Sequence, residues 1–409
     1  MATHAGLGDI AGPVAAFFAV RSDILMLSSQ RHLFDMPRDV CFFNAAAWSP
    51  LPIGAVEVGR EGAARKSRPW EVPVGFDQQQ FERARGAAAG LINASVDDIA
   101  LISSVGYGVC TAAKIFDVPK GSRVLLLDSD HSSPVLEWMT RAADGGFDVA
   151  TVQVGADYDW TSAILEEINR KDQPPVALAS ISSVHWSDGG LIDLVEVQSA
   201  LRACGAGLLV DATHAAGVMS LDVTQLDPDF VIFPTYKWLL GPYGRAFIYV
   251  AKRHQGGVPL EQTSYGRKRV SSVADHYFAD LDYVESARRF DMGERDFFVS
   301  LDVAAYSIEL MHSWGIAPVQ ARMKMLTTRI ADGLTERGVN VTLLDECFRA
   351  PHLLSLGFPA GMPDGLAETL AEHNVYAAPR LGRLRLSPHV YNDEADCDRL
   401  VEVLQAVLR

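Results

Sequence analysis

Short apolar runs recur along the first two thirds of the chain, and each gives way to polar residues where a strand would end. Ala100, Leu101 and Ile102 lead into Ser103 and Ser104; the run RVLLL from Arg123 leads into Asp128 to His131; VALASIS from Val176 leads into Ser183 to Trp186. Leu208, Leu209 and Val210 lead into Asp211, Thr213 and His214. Apolar runs without alternation suit strands buried on both faces. Helix-length stretches separate them, so strands and helices alternate from about Phe42 to Lys252, which predicts a mainly parallel sheet covered on both sides. Polar groups at strand carboxyl ends place a ligand site along one edge of that sheet.

The character changes after Gly256. A polar, basic passage around Tyr265 to Arg269 leads into RRFDMGERD, then into helical spacing around Met323 to Leu334, and finally into strands mixed with the helix DEADCDRLVEVLQAVL. This predicts a smaller α+β domain, joined in space by an amino-terminal helix from Ala11 to Leu27. The expected division is 42–256 for the large domain, and 1–41 with 257–409 for the small one.

The segment from Asp211 to Gly244 carries the most chemistry. Apolar runs at Phe230 to Phe233 and Ala246 to Val250 flank Pro234, Thr235, Tyr236, Lys237, Gly241, Pro242 and Gly244, which reads as strand, reactive loop, strand. Taken alone, Lys237 fits a solvated loop lysine and Asp211 a helix cap, as most isolated lysines and aspartates are. Together they match what pyridoxal 5'-phosphate chemistry needs. A buried lysine amine stays neutral and forms a Schiff base, while a carboxylate facing the pyridine nitrogen keeps the ring protonated as an electron sink.

DATHAAG and TYKWLLGP resemble the cofactor-lysine region of the class V aminotransferase superfamily of pyridoxal phosphate enzymes, which includes cysteine desulfurases, kynureninases, isopenicillin N epimerases and carbon–sulfur lyases. The resemblance implies an aspartate-aminotransferase-like (fold type I) α/β large domain with a mainly parallel sheet, plus a smaller α+β domain. It implies that Asp211 pairs with the pyridine nitrogen, that His214 sits near the cofactor's phenolic oxygen, and that Thr235 and Tyr236 lie near the phosphate. ALISSVGYGVC resembles the family's phosphate loop, so the backbone at Val105 and Gly106 is expected to bind phosphate oxygens, with Tyr107 beside cofactor or substrate. An ordinary strand-to-helix connection reads the same way.

By the same resemblance His131 stacks on the cofactor ring and shuttles protons, His185 lies near a ring oxygen, and Trp186 walls the pocket. A capped histidine, a satisfied histidine and a core tryptophan are the alternatives. CFFNAAAWSPLP resembles the entrance motif, which puts Asn44 and Ala45 on the substrate pocket. RLSPHVYN resembles the segment whose arginine forks onto the substrate α-carboxylate, here Arg385, with Arg380 and Arg383 as competing candidates; a guanidinium suits the task because its planar donors match two carboxylate oxygens. ARRFDMGERDFF resembles the segment that reaches the neighbouring subunit's phosphate in dimeric relatives, but Glu294 stands where they carry threonine. A carboxylate repels phosphate, so Glu294 is expected to point elsewhere or to pair with Arg289 or Arg295. A homodimer is implied by the relatives.

Composition narrows the function classes. The chain has 409 residues, 48% of them hydrophobic, and a formal net charge of −15. That is long enough for a two-part enzyme with a large core. The acidic balance argues against nucleic acid or an anionic membrane as partner; the resemblance implies a small-molecule amino acid substrate. The apolar piece IAGPVAAFFAV is interrupted by Pro13 and falls short of the roughly 20 residues that span a bilayer. No basic stretch with a cleavage site is seen, so a cytoplasmic protein is expected. The five cysteines, Cys41, Cys110, Cys204, Cys347 and Cys397, show no zinc or disulfide spacing, and no metal is expected. APRLGRLRLSPH lacks the mobile cysteine that desulfurases carry there, so persulfide transfer by that route is not expected. The whole-chain pattern resembles the family's cysteine-free lyases, such as the ergothioneine-pathway members, which implies Cα deprotonation of an α-amino acid followed by β-elimination, as in a C–S lyase on a cysteine-derived substrate. The alternatives are an aminotransferase or epimerase of a specialised amino acid, or a non-catalytic pyridoxal-binding regulator.

Overall fold

The computed structural model describes residues 26–270 and 275–408, so the expected helix from Ala11 to Leu27 falls almost wholly outside the described residues. The strands of the first part are β1 (Cys41–Phe42), β2 (Ile99–Ile102), β3 (Arg123–Leu127), β4 (Asp148–Val152), β5 (Val176–Ser182), β6 (Gly207–Asp211), β7 (Phe230–Pro234) and β8 (Ala246–Val250). All but β1 form a seven-stranded sheet in the order β2-β8-β7-β6-β5-β3-β4. β8 alone runs against its neighbours. The cause is local, because the loop 235–245 is too short for the crossover that a parallel return requires. The parallel neighbours have such crossovers, with helices Ser132–Gly145, Trp160–Ile168 and Leu194–Ala203 between successive strands. Each starts at a side chain, His131, Asp159 or Asp193, that accepts a first-turn N–H.

β2, β3, β6, β7 and β8 are buried along their whole length, as their unbroken apolar runs require. The helix Val105–Ile115 approaches the sheet closely at Gly108, where an added Cβ would come within 2.9 Å of Ile102 and Ile232 side chains. Only glycine permits that approach.

The later strands are β9 (Arg267–Val270), β10 (Phe278–Tyr283), β11 (Leu354–Leu356), β12 (Val375–Tyr376), β13 (Ala378–Arg380) and β14 (Arg383–Leu386). β9 and β10 form a hairpin, β11, β14 and β13 form a three-stranded antiparallel sheet, and β12 pairs with β1. The RRFDMGERD segment lies along the open edge of β2. Asp291 accepts the Leu101 N–H at 2.8 Å, and the Met292 N–H donates to the Leu101 carbonyl at 2.9 Å. The same Asp291 carboxylate pairs with buried Arg85 at 2.8 Å and with buried Arg295. Among the described residues no helix is long and apolar enough to cross a membrane, and no group of three or more His, Cys, Asp or Glu side chains could hold a metal ion.

Candidate active site

Because β2, β3, β5, β6 and β7 point the same way, their carboxyl ends converge, and one cavity opens there. β2 and the following turn supply Ser103, Ser104 and Val105 to its wall; the segment after β3 supplies His131 and Ser133; β5 supplies Ser182; β6 supplies Asp211, Thr213 and His214; the loop 235–245 supplies Tyr236, Lys237, Tyr243 and Gly244. Gly244 takes a left-handed φ of 78°, which lets the chain turn back from the cavity into β8.

Lys237 is held by the turn it sits in. The Leu240 N–H donates to the Lys237 carbonyl at 3.2 Å, and the Gly241 N–H closes onto the Thr235 carbonyl at 2.9 Å. The Lys237 side chain is only 7% exposed, and burial, reinforced by the charge of Arg385, pulls its amine from the usual lysine range down to about 7. Its Nζ lies 3.3 Å from His214 Nε2. The opposite nitrogen of that ring, Nδ1, accepts the indole N–H of Trp238 at 3.1 Å. Indole can only donate, so Nδ1 carries no proton and the neutral ring has its hydrogen on Nε2. Burial and then the Lys237 charge keep His214 well below the usual histidine range.

Asp211 receives the Thr213 N–H on Oδ1 at 2.9 Å, and its side chain forms no ion pair among the described residues. Asp130 lies nearby, with Ser182 Oγ 2.8 Å from both of its carboxylate oxygens; burial, then the proximity of Asp211, raises it to about 6. His131 accepts the Ser133 N–H on Nδ1 at 3.4 Å and meets Trp186 edge to face with centroids 5.9 Å apart. Burial lowers its pKa. Ser104 caps the helix Val105–Ile115 by accepting the Tyr107 N–H at 3.1 Å. The Val105 and Gly106 N–H groups of its first turn have no intrahelical acceptor.

A second, outer part of the cavity is lined by Ala46, Ala47 and Trp48 from the turn after β1, and by Trp186, Arg380 and Arg385. Arg385 is 1% exposed, donates from Nη1 to the Trp186 carbonyl at 2.7 Å, and has no partner at Nε. Burial, then Arg380, lowers it to about 9.

Several expected residues stand elsewhere. His185 is not on the cavity wall: its Nε2 donates to the Asp128 carbonyl at 3.1 Å, its Nδ1 faces Asp188 at 2.9 Å, and it stacks on Trp160. Thr235 is fully buried behind the loop, where its hydroxyl donates to the Pro242 carbonyl at 2.6 Å. Tyr107 turns toward Glu261, which together with burial raises its phenol. Asn44 sits at a bridge to Ser387, two residues before Ala46, the first of the lining turn, with its Oδ1 buried and unpartnered. Arg383 bonds Ser355 at 3.0 Å. Glu294 is exposed, at φ 43°, and pairs with neither expected arginine. Arg289 donates to the Val284 carbonyl, and Arg295 pairs with Asp291. Sequence reasoning missed Asp130, Ser182, Ser133 and Tyr243. Ser182 and Asp130 follow apolar runs just as Asp211 does, which was the available signal.

Comparison with known proteins places this geometry. The model of the family described as Aminotransferase class-V matches residues 75–400. An uncharacterized aminotransferase, YcbU of Bacillus subtilis, is 26% identical over 332 residues, covering 80% of this chain and 84% of the relative. A probable cysteine desulfurase of Methanothermobacter thermautotrophicus is 27% identical over 405 residues, covering 91% of this chain and 96% of the relative. The solved complex of the cystine C–S lyase C-DES with its product cysteine persulfide shares the fold, with a TM-score of 0.80 at 20% identity, over 90% of this chain and 98% of that one. The chain therefore belongs to the class-V aminotransferase family and is a pyridoxal 5'-phosphate-dependent enzyme.

Proposed function

We propose that this enzyme carries out β-elimination on a cysteine-derived α-amino acid, cleaving its carbon–sulfur bond. The observation that carries the reading is Lys237, whose buried amine is neutral enough near pH 7 to act as a base in a cavity that also holds Arg385. No cysteine side chain is among the residues lining either part of that cavity, so a cysteine nucleophile is not at hand and elimination is the simpler route.

The residues fit the family's cofactor. The N–H groups of Val105 and Gly106, with the Ser103 and Ser104 hydroxyls at a helix amino terminus, suit a phosphate. Asp211 has a carboxylate oxygen available to a ring nitrogen, and Lys237 is in the same cavity. When bound, pyridoxal phosphate supplies a carbonyl that captures amines and a ring that accepts the charge left at Cα. In our reading Arg385 holds the substrate α-carboxylate and Lys237 removes the Cα proton. His214, its tautomer set by Trp238, donates its Nε2 hydrogen into the site. His131, whose lowered pKa leaves its ring free to accept a proton, is placed to relay the one that Lys237 takes from Cα to the departing thiolate.

A second reading, amino-group transfer or epimerisation, draws support from one observation: Lys237 and His131 line the same cavity, and two bases allow proton return to more than one position. The holoenzyme incubated with S-ethyl-L-cysteine and its sulfoxide separates them. A lyase releases pyruvate and ammonia without an acceptor. Turnover that demands a keto acid, or solvent deuterium entering Cα with inversion and no pyruvate, would sink the lyase reading. Borohydride reduction should fix the cofactor covalently to Lys237, and Lys237→Ala should prevent it. The reading extends to a homodimer, supported by Tyr277, Phe278 and Leu281 of the β9–β10 hairpin, which are 52%, 57% and 53% exposed. Sedimentation at micromolar concentration tests it.

A further inference from the structure

Two guanidinium groups share the outer cavity. The Arg380 Cζ lies 5.9 Å and the Arg385 Cζ 6.0 Å from the centre of the Trp186 ring. They differ in depth, Arg385 being buried and Arg380 half-buried toward the mouth. Among the described residues neither forms an ion pair. Arg380 spends Nη1 on the adjacent Pro379 carbonyl at 2.6 Å, and Arg385 leaves Nε unpartnered. Elsewhere in the molecule buried Arg85 and Arg123 are each matched by a carboxylate, Asp291 and Glu167. Adjacent like charges drawn out of water cost free energy until an anion joins them. One carboxylate at Arg385 would still leave Arg380 unmatched. The wall between the loop and the mouth is aromatic, with Trp48, Trp186, Tyr236 and Tyr243; Trp48 and Tyr243 are 67% and 73% exposed.

We propose that Arg380 is a second anion-binding residue of the substrate pocket, and that the substrate is an α-amino acid whose side chain has an apolar body and a terminal carboxylate or comparable anion. This rests on the reading of Arg385 as the α-carboxylate clamp. The inner guanidinium takes the carboxylate common to all amino acids, and the outer one selects by the tail, with the Trp186 ring packed against the chain between them.

The test is a spectral titration of the holoenzyme with two matched pairs: S-carboxymethyl-L-cysteine against S-ethyl-L-cysteine, and S-(2-carboxyethyl)-L-cysteine against S-propyl-L-cysteine. Each pair exchanges a terminal carboxylate for a methyl group. The native enzyme should bind at least one anionic member more tightly than its neutral partner. Arg380→Met, which keeps the apolar stem at a half-buried position, should weaken that member by roughly ten- to a hundredfold and leave the neutral one unchanged. Arg385→Met should weaken both members alike. Equal weakening of both by Arg380→Met, or no preference for an anionic tail in the native enzyme, would overturn the inference while leaving the Arg385 reading intact. A holoenzyme whose spectrum responds to none of the four would overturn the amino-acid reading, and this inference with it.

Discussion

At the residue scale the site depends on proton placement. The Lys237 amine, lowered to about 7, must be neutral to attack a carbonyl, and its neutral fraction grows as pH rises through that value. Capture of pyridoxal by the cofactor-free protein should therefore quicken about fivefold from pH 6 to pH 7 and level off above pH 8. A rate that keeps climbing to pH 10 would mean an ordinary lysine. Trp238→Phe keeps the ring but removes the donor to His214 Nδ1. The expected loss is about 1 kcal/mol of stability, with mixed imidazole tautomers visible by nitrogen NMR. Unchanged tautomer signals would show that another contact orders this ring. That Lys237 and Asp211 meet at one cavity was legible in the sequence, because each follows an apolar run that ends in a strand there. His185 and Thr235 were legible only as polar residues near a strand end. Their side-chain directions follow from contacts beyond the local run, Asp128 for His185 and Pro242 across its own loop for Thr235.

At the element scale the turn proposed to hold the phosphate depends on how closely one helix lies on the sheet. Gly108 allows the helix Val105–Ile115 to pack against Ile102 of β2 and Ile232 of β7. Gly108→Val should cost about 1–3 kcal/mol by overpacking and shift the helix amino terminus. Thermal melting should show the first effect and a weakened cofactor affinity the second; lost stability with unchanged affinity would separate the helix from the phosphate role. The strand and helix alternation before Lys252 was readable because continuous apolar runs and caps are local signals. The seating of RRFDMGERD on the edge of β2 was not, because it rests on Asp291 meeting Arg85 and the Leu101 N–H from distant parts of the chain.

At the scale of the whole molecule, buried neutral histidines set the acid limit. His352 and His389 are fully buried, and burial lowers them to about 3 and about 4. Unfolded, both take up protons below about 6.5, so the stability they allow is complete above that pH and is lost as pH falls toward their folded values. The loss should reach about 2 kcal/mol for each at pH 5, seen calorimetrically as a melting temperature several degrees below that at pH 7. His352→Phe should reduce this acid sensitivity, and an unaltered pH dependence would remove His352 from the account. His185 has the opposite sign. Its pKa is raised despite burial by the hydrogen bond and charge of Asp188, so its contribution is complete below 6.5 and declines as pH rises through the raised value.

The sequence by itself determined which segments become buried strands, where their polar ends fall, and that Lys237 and Asp211 lie among those ends, because hydrophobic periodicity and turn chemistry act over a few residues. The tertiary structure alone decided which polar side chains face the cavity. It set Trp238 behind His214, placed Asp130 beside Asp211, and brought Arg380 and Arg385 around the ring of Trp186. Those juxtapositions join strands and loops far apart in the chain, and their cost or gain arises only when packing removes the groups from water.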